Sequence, residues 1–569
     1  VLSRLISATD KDDVLKNRCW PYVYHKWRPG VEYNEKEEEK YDPQYAPPPA
    51  LCRRRAWLEA CLLVTKPELG VWALERQGGM HQLMMLAATQ DIQNQEAAAE
   101  VFCLAASVEG ATVMLEPVVS AGVLNLLLQS AAADVRAAAA STLTKLSLKA
   151  KALATDSSET THLEDSCADG KGSAQDKVLT AEQKKQLKQK SVASVERAVE
   201  VLAALVGRSA VKEELVHGSA RVASPMSYIT SLVLDERSTA SYGIAHILAA
   251  LTVTNKELRD KALAEKDITP EQFEQLQELQ RVKTKDADGN VIEEKKEEDD
   301  PDTLDMCKRR IQKIAECGGL KALLRLLEHA STQTKLTAAT ALRQMNVEPA
   351  VRGLFIQQGG LKTCHDLVVN VDEDRAVRRE AGHAMAKSLV TTNPMMLSEH
   401  LRLSAVKPLI YLCKDTESTN LMQFESLLSL TNLTSVGDRE KDLFVAEKGV
   451  PAAHYLMFCD HLAVRRAATE TLCNVASKEG LLKLLRNAEN VKLWVAFCED
   501  WDSEESDEAL ATALASSGTL AVAASDEGVN GALLQCGCGE SIASMIGSGV
   551  DGLIHRALVL AIELVTLGG

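Results

Sequence analysis

The sequence predicts an all-α chain, an armadillo/HEAT-type right-handed superhelical solenoid, and three observations carry that prediction. A glycine-led apolar phrase returns at steps of 41–45 residues. Each return is followed by an Ala-rich stretch of helical periodicity. The apolar content, 46% of 569 residues, is mostly Leu, Ala and Val, with aromatics at only 4%. Helices packed on helices use such residues, whereas sandwiches lean on aromatic and β-branched ones. A period in the low forties, with one short and one small-residue helix per unit, is the sequence mark of this repeat class.

Taken in order, residues 1–50 read as an extended, aromatic-rich arm without a repeat. Trp20, Tyr22, Tyr24, Trp27, Tyr33, Tyr41 and Tyr45 are seven of the chain's aromatic residues, and "PPP" at 47–49 closes the segment. The rings are expected to pin the arm onto the first helices. Residues 51–150 hold the first repeats, with "GGMHQLMML" at 78–86 and "AGVLNLLLQ" at 121–129. Residues 151–190 are rich in Ser, Asp and Gly and read as a polar insert. A central armadillo domain follows at 191–345, interrupted by a charged loop at 281–305, and carries "GGLKALLRLL" at 318–327. A C-terminal armadillo domain occupies 346–569, with "GGLKTCHDLV" (359–368), "SAVKPLIYL" (404–412), "KGVPAAHYLM" (448–457) and "NVKLWVAFC" (490–498). The closing helices, among them "TAATALRQMN", "FESLLSLTNLTS" and "AATETLCNVAS", have small residues that let neighbours approach closely.

Charge and motifs exclude several function classes. The net charge of −16 makes nucleic acid an unexpected partner, since an acidic chain repels phosphate. No run approaches the ~20 apolar residues that span a bilayer, so no membrane role is expected and the location is read as cytoplasmic. The absence of an initiator Met suggests a piece of a longer protein. Fourteen cysteines lie singly in apolar stretches, such as Cys103, Cys364, Cys413 and Cys473, and read as reduced, buried thiols. Cys536 and Cys538 form the one close pair, and two ligands without a second pair make no zinc site. "DADGN" at 286–290 has its Gly two places early for a calcium loop. There is no Walker loop, H-E-x-x-H, G-x-S-x-G or Rossmann fingerprint. The chain is therefore read as no enzyme, with no cofactor and no metal.

One residue in a closing helix is out of character. Asn432 in "FESLLSLTNLTS" is a poor helix former, because its amide competes for backbone hydrogen bonds. At about 100° per residue, Leu427, Leu430 and Leu433 share one arc, the expected core face. Phe424, Leu428, Thr431, Asn432 and Ser435 fall on the other side. Aligned through the repeats, the position of Asn432 is occupied by Gln344, Lys387 and Asn474 in neighbouring closing helices. A carboxamide both donates and accepts, so such a ladder can bracket the backbone of an extended guest. The same amides can equally brace adjacent repeats, since buried polar groups must be satisfied. Asn432→Tyr is expected to block binding with little change in melting temperature.

The phrases "FESLLSLTNLTS", "VRRAATETLCNVASKEG" and "KLWVAFCEDWDSEESDEALATALASSGTLAVAASDE" resemble the UCS (Unc/Cro/She) domain of a family of myosin-directed chaperones. "AVEVLAALVGRSAVKEELV" and "KRRIQKIAECGGLKALLRL" are similar to that family's central domain. The resemblance covers about 190–569. It implies a cytosolic chaperone whose partner is the myosin motor domain, bound as client in the groove of the C-terminal repeats to assist its folding and assembly. It carries onto Asn432 in "LTNL", with Phe424 beside it. Animal members begin with a tetratricopeptide domain that grips the ninety-kilodalton heat-shock chaperone. Nothing here matches its W-x₂-L-G-x₂-Y pattern, so a heat-shock partner is expected only through a domain outside this chain. Self-association is a further option. The reading of a different class is an armadillo scaffold or adaptor that holds folded partners without chaperone activity.

Overall fold

Every regular element among the described residues is helical, as the pattern predicts. The structure, a computed structural model, describes residues 49–75, 79–154, 195–218, 224–234, 240–264, 302–499 and 507–568. The aromatic arm before residue 49, most of the polar insert and the charged loop before residue 302 lie outside them. The described residues divide into two compact units, those within Val1–Leu205 and Arg237–Gly243 and those within Val206–Glu236 and Ile244–Gly569.

In the first unit the helix Ile92–Ala105 is sandwiched between Pro49–Thr65 and Ala133–Ala154. Ala97, Ala98, Val101 and Phe102 bury its faces. Asp91 caps its start by accepting from the Gln93 amide, which satisfies one orphan donor of the first turn. A charge is buried here as well. Arg55 Nε donates to Glu59 Oε1 at 2.6 Å and its Nη2 to the Ala73 carbonyl at 3.1 Å. Burial pushes the Glu59 carboxyl above its ordinary range, and the Arg55 guanidinium opposes that shift.

In the second unit the repeat phrase explains itself sterically. Gly318 and Gly359, at φ 84° and 86°, precede the helices Gly319–His329 and Gly360–Val369. Only glycine takes that left-handed conformation without strain. The second glycine of each pair has another reason. A Cβ on Gly319, Gly360 or Gly449 would run into the side chain of Ile314, Phe355 or Phe444 respectively. The pair thus encodes one turn and one close approach.

The "KG" phrase breaks the first of these rules. Lys448, at φ 62°, is the one non-glycine residue with positive φ among those described, and it precedes the helix Gly449–Leu456. Lys448→Gly is therefore expected to stabilise this unit by about 0.5–1 kcal/mol, the left-handed strain less the extra chain entropy of glycine. Urea unfolding would read the gain as a higher midpoint at constant slope; an unmoved midpoint would mean that the turn carries no net strain.

Candidate functional site: the stack of closing helices

Five closing helices pack in succession in the C-terminal unit: Thr332–Met345, Arg375–Leu389, Asn420–Thr434, Leu462–Cys473 and Asp507–Ala523. Side-chain caps start the first three, from Ser331, Asp374 and Thr419. Their buried faces are rich in small residues: Ala338, Ala339 and Ala341, then Ala381, Gly382 and Ala384, then Ser426 and Ser429. Small side chains bring the helix axes close, so polar groups on one helix reach the backbone of the next.

Asn432 does so. Its Nδ2 donates to the Val390 carbonyl at 2.8 Å, at the end of the preceding closing helix. Asn474 repeats the move one unit on, donating to the Thr431 carbonyl at 2.8 Å and to Thr434 Oγ1 at 3.2 Å. Hydroxyls fill the seam between them. Ser429 donates to the Ala386 carbonyl at 2.9 Å, and Thr431 and Thr471 share a hydrogen bond of 2.8 Å. Gln344 Oε1 accepts from Thr252 Oγ1 at 2.9 Å. Lys387 Nζ donates to Glu425 Oε1 at 2.6 Å, while His383 Nε2 lies 2.6 Å from Glu425 Oε2. Phe424 and Leu428 are half-buried on the Asn420–Thr434 helix, and exposed Ser435 donates to the Asn432 carbonyl at 2.7 Å.

Of the expected residues, Asn432 and Asn474 brace repeat against repeat through their amide nitrogens, while Gln344 is held through its amide oxygen and Lys387 through Glu425. This changes one expectation. Replacing Asn432 removes a hydrogen bond between helices, so the melting temperature should fall and not stay unchanged. The amide Oδ1 of Asn432 accepts no hydrogen bond among the described residues, which leaves it the open half of the carboxamide.

Sequence reasoning missed Glu425, the anion that gathers His383 and Lys387. The signal was present as opposite charges about one repeat apart. Lys335 pairs with Glu373, Arg343 with Glu380, Lys387 with Glu425 and Arg402 with Glu440, at separations of 37 or 38 residues. Arg466 continues the pattern with Glu508, 42 residues on. A second missed device is an arginine early in a closing helix. Arg378 and Arg465 each donate backwards, to the Val368 and Cys459 carbonyls. Each guanidinium also lies over a ring of the next repeat, Tyr411 at 4.4 Å and Phe497 at 5.7 Å.

The charges of this surface neutralise one another across repeats. The thiols of Cys364, Cys413 and Cys498 are each pushed up to about 12 by burial, so they are poor nucleophiles at neutral pH. Cys473 is half-buried. No group of three or more His, Cys, Asp or Glu able to hold a metal ion occurs among the described residues, and no described helix is long and apolar enough to cross a membrane.

Glu425 gives the surface a pH dependence. Burial raises its carboxyl, but hydrogen bonds from His383 and Lys387 outweigh that and hold it below the ordinary carboxylate range. A carboxyl depressed in the folded state adds stability above its unfolded pKa of ~4.3, and that stability is lost as pH falls through the folded value. Between about pH 5 and pH 3, wild type should lose more stability to acid than Glu425→Gln. Urea midpoints across that window test this; parallel acid slopes would remove Glu425 from the account.

With the geometry in place, comparison adds kinship. Residues 307–345 match the armadillo/beta-catenin-like repeat. The chain is 30% identical over 228 residues to protein unc-45 homolog B of Xenopus laevis, covering 39% of this chain and 24% of that protein. Against the human unc-45 homolog B the figures are 31% over 226 residues, 38% and 24%. The chain thus spans about a quarter of the length of the curated relatives it matches. Among solved structures, UNC-45 from Drosophila melanogaster superposes with a TM-score of 0.61 at 22% identity, covering 100% of this chain and 65% of that one. She4p does so at 0.60 and 17%, covering 91% and 65%. At these identities the likeness shows a shared solenoid fold and nothing more.

Proposed function

Homologous to the UNC-45 proteins over its central and C-terminal region, this chain is, we propose, the client-binding part of a myosin-directed chaperone. The homology of 30% over 228 residues is the observation that carries the reading. One solved structure of similar fold concerns molecular features of the UNC-45 chaperone critical for binding and folding muscle myosin. The guest is a myosin motor domain in a partly unfolded state, held along the closing helices by half-buried Phe424 and Leu428, by Thr431, Asn432 and Ser435, and by the flanking Gln344, Lys387 and Asn474. Backbone carbonyls and amides of an extended segment suit a surface with one open carboxamide oxygen and several hydroxyls. With no ATP-binding motif in the sequence, the chain acts as a holder of the guest and any energy input falls on a partner. Heat-shock chaperones are further partners of this reading, since Hsp90 and Hsp70 peptides accompany UNC-45 from C. elegans in solved complexes.

The test is to unfold a myosin motor fragment by heat and add this protein. A chaperone suppresses light scattering at near-equimolar ratio and leaves an unrelated unfolded protein to aggregate. Scattering as high as in buffer would point instead to a scaffold for folded partners.

A further inference from the structure

The first unit holds a thiol with a route out for its proton. Cys103, near the end of the helix Ile92–Ala105, is 3% exposed. Its Sγ donates to Ser141 Oγ at 3.5 Å, and Ser141 in turn donates to Glu200 Oε2 at 3.0 Å. Lys145 Nζ lies 3.7 Å from the same sulfur and 3.5 Å from Glu200 Oε1. Ser141 and Lys145 stand one turn apart on the helix Ala133–Ala154, and Glu200 belongs to the helical stretch 195–205. A thiol attacks as its thiolate. Here a hydroxyl passes the proton to a carboxylate and an ammonium supplies the counter-charge, the order of nucleophile, relay and base found in covalent sites. The side chains of Lys145 and Glu200 are 22% and 50% exposed, so the approach to the sulfur runs past them and suits a reagent near the size of water.

We infer that Cys103 and Lys145 are a modification site, joined by a sulfenamide bond when hydrogen peroxide oxidises the sulfur. In the first step the sulfur attacks one peroxide oxygen and the O–O bond breaks. The other oxygen leaves as hydroxide and takes up the thiol's proton as water, so the sulfur is oxidised to the sulfenic acid and the peroxide is reduced. A sulfenic acid condenses with a nitrogen held beside it. Lys145 passes a proton to Glu200, and the amine's free electron pair attacks the sulfur. The S–O bond breaks, the hydroxyl leaves with that proton as a second water, and the new S–N bond sheds one further proton. One thiol, one ammonium and one peroxide thus give the sulfenamide, two waters and a proton. The product staples together the Ala-rich helices of two successive repeats.

Peroxide treatment of the full chain, then trypsin and mass spectrometry, tests the bond. Trypsin cuts after Arg76, Arg136 and Lys149 but not at a linked Lys145. Residues 77–136 should therefore appear joined to 137–149, lighter by two hydrogens than the two peptides together. Dithiothreitol, oxidised to its own disulfide, should split the pair. Lys145→Arg keeps the positive charge but should form no such species, leaving Cys103 to end as sulfinic or sulfonic acid. Glu200→Gln, a change at an exposed side chain, should form it several-fold more slowly than wild type. Wild-type Cys103 left untouched, linked to another residue, or oxidised to those acids with Lys145 free would each overturn the inference. Equal rates in wild type and Glu200→Gln would do so as well. The outcome is independent of myosin binding.

Discussion

Asp302→Asn is expected to unfold the region around it at a cost of about 3–5 kcal/mol, because the carboxylate is the counter-ion of two cations buried with it. Lys212 and Arg310 have fully buried side chains, and that of Asp302 is 1% exposed. Lys212 Nζ lies 2.8 Å from Asp302 Oδ2, and Arg310 Nη1 lies 2.7 Å from Oδ1. The cluster also closes a turn. Lys212 donates to the Val253 carbonyl at 2.9 Å and Arg310 Nε to the Leu251 carbonyl at 3.1 Å, where one helix ends. Asp302 Oδ2 accepts from the Asn255 amide at 2.9 Å, where the helix Asn255–Ala264 begins. Cations on terminal carbonyls and an anion on an initial amide complement both helix ends at once.

Removing the charge of Asp302 leaves Glu213 as the anion paired with Arg310 and leaves Lys212 without an acidic partner. Burial already lowers the Lys212 pKa and the Asp302 carboxylate holds it up, so the variant drives it lower. Lysine can respond by shedding its proton, whereas arginine cannot. A base depressed in the folded state binds fewer protons there than when unfolded, so stability rises with pH through the folded value. The deficit of Asp302→Asn should therefore shrink between pH 7 and pH 9, read from urea midpoints at each pH. Asp302→Asn combined with Lys212→Met should recover part of the loss, since it removes the stranded charge. A variant that unfolds at the wild-type midpoint would mean that the pairing contributes nothing net.

The fold was legible because its signals are local and repeat. Leu427, Leu430 and Leu433 lie one turn apart and all three are buried; a single helix wheel suffices to find them. The glycine pairs were legible as a phrase, although their two reasons, a left-handed turn at Gly359 and a close approach to Phe355 at Gly360, needed coordinates. The site was harder. Lys387 read as a cation open to a guest, whereas Glu425, 38 residues on, neutralises it. Pairing across repeats depends on how far each helix is rotated against the next, and no single period fixes that rotation. Asp302 was hidden for a related reason. It stands at the end of an acidic run, "EEDDPD", where composition says solvent, and only tertiary placement beside Arg310 and Lys212 shows otherwise.

Asn432→Tyr and Asn432→Ala should separate the two roles of the amide. Both lose the hydrogen bond to the Val390 carbonyl and should destabilise the C-terminal unit alike, by about 0.5–1.5 kcal/mol. They differ in what they add. Alanine adds no bulk, and a guest loses only the acceptor Oδ1. Tyrosine adds a ring at the same position. Displacing a closely packed guest backbone costs on the order of 1–3 kcal/mol, and about 1.4 kcal/mol is tenfold in affinity. Capture of an unfolded myosin motor fragment should fall at least about tenfold in Asn432→Tyr and only about threefold in Asn432→Ala, with the two proteins matched for folded fraction by circular dichroism. If both variants lose capture in proportion to their stability, the carboxamide is a brace between repeats and the guest sits elsewhere on the solenoid. If the tyrosine variant alone loses it, the closing-helix surface is where the guest lies, and the bond to Val390 explains why an asparagine serves there: one end of its amide holds the repeat in register while the other end faces the client.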